Sequence, residues 1–146
     1  MASDNRLSRM LHVLIHMAER DTPMTSDDIA RVLATNAVVV RRTMAGLRDK
    51  GYVTSEKGHG GGWRLVTALE HMTLYDVYAA IGSPAVFALG MADDHPRCLV
   101  EQAVNDRLED ALTEARALLF AKFSAVSLAD IAADFQRRYA AVKPCN

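Results

Sequence analysis

Cysteine is scarce in this sequence, with only Cys98 and Cys145 in 146 residues. Two thiols so far apart exclude a disulfide framework and a four-cysteine zinc site. Long hydrophobic runs are missing too: none approaches the roughly 18 uncharged residues needed to cross a bilayer. Met1 to Arg9 carries charge, but no apolar signal-peptide segment with a small-residue cleavage site follows. Export and membrane insertion are therefore not expected, and the cytoplasm is the expected location. There is no internal repeat and no low-complexity linker. Catalytic signatures are also lacking, since no Ser-His-Asp, paired-carboxylate or metal motif occurs. The glycines at 58 and 60–62 follow neither a Walker pattern nor a G-x-G-x-x-G leading into a helix, so nucleotide binding is not expected of them. An enzyme is not expected, nor is a cofactor or a resident metal.

What remains is an ordinary globular composition, 50% hydrophobic and 24% charged. The length suits one compact domain, or a small domain with a dimerisation extension. The net charge of −1 hides an asymmetry. Residues 1–66 carry ten Lys/Arg against seven Asp/Glu, a balance of +3, and residues 67–146 carry seven against eleven, a balance of −4. Within residues 35–64 the balance is +4, from six basic and two acidic residues. A basic segment inside an acidic chain points to a local polyanion site, or to a solvated face without a partner.

Periodicity predicts a mainly α fold with one small β-hairpin. Leu7, Met10, Leu11, Leu14, Ile15 and Ala18 recur on one face of a helix over 6–20, which Asp21-Thr22-Pro23 stops. Thr25 with Asp28 forms a short version of a capping box and opens a helix to about Leu33. Ala34-Thr35-Asn36 is a tight turn, and a second helix runs from about 37 to 50, with Gly51 as the residue after its cap. Strands are expected at 52–55 and 63–66 around the glycine loop. Helix, turn, helix and hairpin in this order make a winged helix-turn-helix. Thr73 with Asp76 caps a helix that Gly82-Ser83-Pro84 ends. Residues 85–96 are irregular, a long helix covers about 98–123, and Ser127 with Asp130 caps a last helix to about 139. A DNA-binding domain is expected at 1–82, and a linker, dimerisation helix and C-terminal helix at 83–146.

On the helix over 37–50, Val40, Met44 and Leu47 fall on the buried face. Val38 and Arg42 fall opposite, flanked by Val39 and Arg41. In a helix-turn-helix the start of the second helix enters the major groove. Thr35, Asn36, Val38, Val39, Arg41 and Arg42 are thus the expected contacts to double-stranded DNA. Arginine pairs with guanine, asparagine with adenine, and valine methyls meet thymine methyls. Asn36 has a competing role as a helix cap. In the hairpin, Lys57, His59, Gly60, Gly61 and Arg64 are expected to meet a phosphate or the minor groove, since glycine lets the backbone come close.

The runs Asn36 to Arg42, Leu47 to Val53, Gly58 to Leu65 and Met72 to Val77 resemble the Rrf2 family of bacterial winged-helix transcription regulators. The likeness extends through Cys98 and the segment from Ser127 to Ile131. It implies a homodimer paired through the long helix, acting as a repressor on a partly palindromic operator, with its small effector unknown. Members that bind an iron–sulfur cluster carry three closely spaced cysteines ahead of that helix. Only Cys98 lies there in this chain, so the resemblance is to the cluster-free branch.

Cys98 follows His95 and Arg97 at the start of the long helix, a setting that favours thiolate. It is therefore a candidate redox sensor; the alternative is a small buried residue. His95 and Cys98 also offer two metal ligands, an incomplete site. A 26-residue helix would be about 39 Å long, more than a core this small can cover. Val104, Leu108, Leu112 and Leu119 are accordingly expected in a dimer seam. The competing reading of the winged helix is a protein-interaction module that never binds DNA.

Overall fold

The computed structural model describes residues 3–142, so Cys145 lies outside the described residues. The chain forms α1 (Arg6–Ala18), α2 (Ser26–Leu33), α3 (Ala37–Asp49), β1 (Val53–Glu56) and β2 (Gly62–Leu65). A short 3-10 turn, Leu69–His71, leads to α4 (Leu74–Ala80), α5 (Leu99–Ala125) and α6 (Leu128–Val142). The expected mainly α winged helix-turn-helix with a hairpin and a long C-terminal helix is the fold observed.

Four of the six α-helices, α2, α3, α4 and α6, open on a side-chain cap, and α1 and α5 do not. Three capping boxes open α2, α4 and α6, each with aspartate as the third helical residue. Asp28 N–H donates to Thr25 Oγ1 at 3.1 Å while Asp28 Oδ2 accepts from Thr25 N–H at 3.2 Å. Thr73/Asp76 and Ser127/Asp130 repeat the exchange at 2.9–3.1 Å. The last two boxes lie against each other. Leu74 N–H donates to Val126 O at 3.0 Å and Leu128 N–H to Met72 O at 2.8 Å, an isolated antiparallel bridge between the entries of α4 and α6.

The hairpin pairs Val53 with Leu65 and Glu56 with Gly62, one residue later in β1 and one earlier in β2 than the sequence suggests. It also has a third member. Met24 and Trp63 exchange backbone hydrogen bonds at 3.0 and 2.8 Å, so the segment before α2 extends the sheet by one bridge.

One core joins α1, α2, α3, the hairpin and α4. Val13, Leu14, Ile29, Val40, Met44, Leu47, Met72 and Val77 are fully buried in it. Leu128, the first residue of α6, is fully buried in the same core, with Ile131 and Ala132 packed against it. The chain thus leaves the core after Gly82 and returns to it at Leu128. Between these points α5 runs 27 residues, about 40 Å, and none of them is buried. Its second half lies along α4 through aromatic contacts, with Phe120 ring centres 5.2 Å from both Tyr75 and Tyr78. No helix among the described residues is long and apolar enough to cross a membrane.

Candidate nucleic-acid interface

The candidate reading element is built from its turn upward. α2 ends at Leu33, its cap Ala34 reverses the chain with φ of +52°, and Thr35 N–H returns to Ala30 O at 3.0 Å. Arg9 in α1 supports the turn from below by donating from its guanidinium to Leu33 O at 2.9 Å. Asn36 caps α3: its Oδ1 accepts from the N–H groups of Val38 and Val39 at 3.0 and 3.1 Å. The competing role foreseen for Asn36 is therefore occupied, and only its amide nitrogen is left to donate outward. At the other end, Tyr52 N–H donates to Leu47 O and Gly51 N–H to Arg48 O, a Schellman closure.

α3 buries Val40, Met44 and Leu47. This fixes the opposite face, where Val38 and Val39 are 60% and 39% exposed beside Arg41 and Arg42. Exposed valines next to cations at a helix start are costly to hydrate and of no use to the core. Neither arginine makes an ion pair among the described residues. Thr35 is half-buried and lines a hollow of about 240 Å³ with Arg9, Leu33, Val39 and Ile81.

The wing carries Lys57 and His59 exposed at its tip, with Gly60 beside them at φ +77°. Gly61 is half-buried at the turn, its N–H donating to Gly58 O at 3.0 Å. Arg64 differs from its expected role. Its Nε donates to Glu56 Oε1 at 2.7 Å and another guanidinium nitrogen to Asp21 O at 2.6 Å. It braces the hairpin against the turn after α1, with its charge matched by Glu56. Trp63 is buried, and its Nε1–H reaches Ser26 Oγ at 3.2 Å, tying the wing to α2.

The surface thus presents α3 and the wing together, with free cations at Arg41, Arg42 and Lys57. The Rrf2 family, described as iron-dependent transcriptional regulators, matches residues 3–134. The chain belongs to the Rrf2 family. It is similar to YffB of Lactococcus lactis subsp. lactis, at 29% identity over 132 residues, covering 89% of this chain and 84% of that one. YwnA of Bacillus subtilis is 25% identical over 128 residues, covering 88% and 95%. Both bear the name of HTH-type transcriptional regulators. A crystal structure of a Lactobacillus plantarum protein, named as a transcriptional regulator, superposes with a TM-score of 0.74 at 25% identity, covering 92% of each chain. As a member of the Rrf2 family this chain is a transcription regulator with a DNA-binding fold, not an enzyme.

The iron in the family description can be tested against these residues. Cys98 is the one cysteine among the described residues, and it is exposed at the entry to α5. No group of three or more His, Cys, Asp or Glu among the described residues could hold a metal, so His95 and Cys98 find no third ligand. The whole chain offers two thiols, short of the set that holds a cluster. These residues do not fit the iron named in the Rrf2 family's description.

Sequence reasoning missed Arg9 and Met24. Arg9 lies on the rim of the apolar face of α1 and reads as a solvated charge. Met24 is the single residue between Pro23 and the Thr25 cap, too short a stretch to register as a strand.

Proposed function

We propose that this chain is a homodimeric repressor that reads a partly palindromic operator with α3 and its wing, and whose DNA affinity responds to oxidation at Cys98. The observation that carries the proposal is the pairing of two unpartnered surfaces. α3 offers Val38, Val39, Arg41 and Arg42 to a groove, and the first half of α5 offers Leu99, Val100, Val104 and Leu108, 41–79% exposed, to a second copy. Of the four seam residues expected, Val104 and Leu108 face out around an open apolar hollow, and Leu112 is half-buried. Leu119 turns toward its own chain, lining a hollow with Leu7, Tyr78 and Phe123. The seam is therefore drawn through residues 99–108.

Cys98 is exposed at the N-terminal end of that seam, which favours a reactive role over the alternative of a buried filler. Peroxide converts its thiolate to a sulfenic acid, and a second thiol condenses with that to give a disulfide and water. Such a change beside a dimer seam would alter half-site spacing. The action is placed in the cytoplasm, where a free thiol stays reduced until challenged.

The test is selection of bound sequences from a random duplex pool, followed by fluorescence anisotropy across a salt series with reduced and peroxide-treated protein. A palindromic consensus, a dimer by sedimentation that Leu108→Asp makes monomeric, and an oxidant response lost in Cys98→Ser are expected. No duplex binding at low salt would overturn the reading in favour of a protein-interaction module. An oxidant response unchanged in Cys98→Ser would remove the redox part alone.

A further inference from the structure

The solvent face of α1 carries two histidines one helical turn apart, and nothing in DNA reading or dimerisation uses them. His12 and His16 are both exposed, their ring centres are 4.7 Å apart, and their Nε2 atoms approach to 2.8 Å. At this distance one ring donates its Nε2–H to the other, so the pair is already held together on the helix surface. Two imidazole nitrogens on a metal at about 2.0–2.1 Å are about 2.9 Å apart at a right angle and about 3.3 Å apart at the tetrahedral angle. The 2.8 Å spacing is that of the hydrogen bond between the rings, and an ion taking the place of the shared proton needs them to open by only about 0.1 Å for right-angle ligation, or by about 0.5 Å for tetrahedral.

We infer that His12 and His16 form a two-nitrogen chelate for a divalent late transition-metal ion, of the kind that accepts adjacent ligands at right angles. The proton on the donor ring's Nε2 moves to its own Nδ1 through solvent as the ion takes its place, and water fills the remaining positions. Metal preference follows from the donors. Asp28 is the one carboxylate lining the hollow beside His16, and it is held by Thr25 and Arg31. Neutral nitrogens without a free carboxylate suit nickel or copper and not calcium or magnesium. The helix pre-organises the pair, because α1 is anchored by Met10, Val13, Leu14 and Met17 in the core. The second imidazole is therefore presented at a high effective concentration once the first has bound.

The experiment titrates the full chain with nickel(II), which is paramagnetic when six-coordinate, following heat and 1H–15N spectra together. One ion per chain is expected, with broadening centred on the amides of residues 12–16. Loss of chelation in His12→Ala or His16→Ala should weaken binding at least about tenfold, while His59→Ala and His71→Ala leave it unchanged. Both histidines are exposed, so the variants should fold, which circular dichroism checks. A loss below tenfold in either α1 variant, or broadening centred on Cys98, His95 or the N-terminus, overturns the site.

Discussion

Replacing Gly62 by alanine tests whether the wing is held in place by its root. A Cβ at Gly62 would lie 2.6 Å from Met24 O and 2.8 Å from Met24 C, backbone atoms that cannot swing away. The residue also has φ +151°, a conformation that L side chains rarely adopt. Relief requires β2 to move off Met24, breaking the two Met24–Trp63 hydrogen bonds at 3.0 and 2.8 Å. Each such bond contributes about 1 kcal/mol, and the backbone strain costs about 1–3 kcal/mol. Restricting the unfolded chain returns about 0.4–1 kcal/mol. The net loss is then about 2–5 kcal/mol, or a Tm lower by about 5–20 °C for a domain of this size. Gly60→Ala is the matched control, because a Cβ there meets nothing within 4 Å although φ is +77°. It should cost about 1–2 kcal/mol, from the left-handed backbone alone. Thermal melts and anisotropy on operator DNA should rank Gly62→Ala well below Gly60→Ala in both stability and affinity. Equal melting temperatures for the two variants would refute the argument that Met24 anchors the wing.

Three further outcomes are expected. Leu128→Ala opens a cavity in the shared core and should cost about 2–5 kcal/mol in urea unfolding, although the residue lies 46 positions beyond Gly82. Arg42→Ala should relax sequence selection at one operator position, whereas Lys57→Ala should weaken all sequences evenly and reduce the salt slope by about 1. Thr25→Ala should cost about 1 kcal/mol at neutral pH. The Thr25 backbone N–H, then its hydroxyl, then Arg31 hold the Asp28 carboxyl below its ordinary value. A lowered folded pKa means that this contribution is full above the unfolded carboxylate value and is lost as pH falls through the folded one. Acid titration of stability should accordingly show a shallower fall for Thr25→Ala than for the natural chain.

Signals read from neighbours in sequence were legible, and those that depend on distant partners were not. Thr25/Asp28, Thr73/Asp76 and Ser127/Asp130 each settle within four residues, so the helix starts could be read directly. The buried triplet Val40, Met44 and Leu47 followed from helical periodicity. The α5 stripe also read as apolar, but periodicity does not say which residues face the same chain. Leu119 lies against Tyr78 and Phe123 while Val104 stays open. The partners of Arg64 were hidden for a related reason. A cation next to a glycine loop suggests phosphate, yet Glu56 opposes it across the hairpin and Asp21 lies 43 residues back. Gly82-Ser83-Pro84 marks the end of α4 in the sequence. The sequence carries no mark of the return to the core, because Leu128 differs from any other leucine only by where α5 delivers it.

That return has a mechanical consequence. α5 is anchored to α4 twice, by the stack of Phe120 on Tyr75 and Tyr78 and by the bridge from Met72-Leu74 to Val126-Leu128. α4 is in turn pressed against the reading helix at Gly46, where a Cβ would lie 2.4 Å from Ala80 O. With no side chain between them, these two elements have no soft layer to absorb a shift. A change of angle in α5 must then be taken up by the interface between α3 and α4 or passed on to Arg41 and Arg42. Gly46→Ala would force those helices apart without altering the residues proposed to read DNA or those of the proposed α5 seam. If α5 governs the reading face through α4, that variant should lose operator affinity while remaining a dimer, and a variant with full affinity would show that the two surfaces move independently.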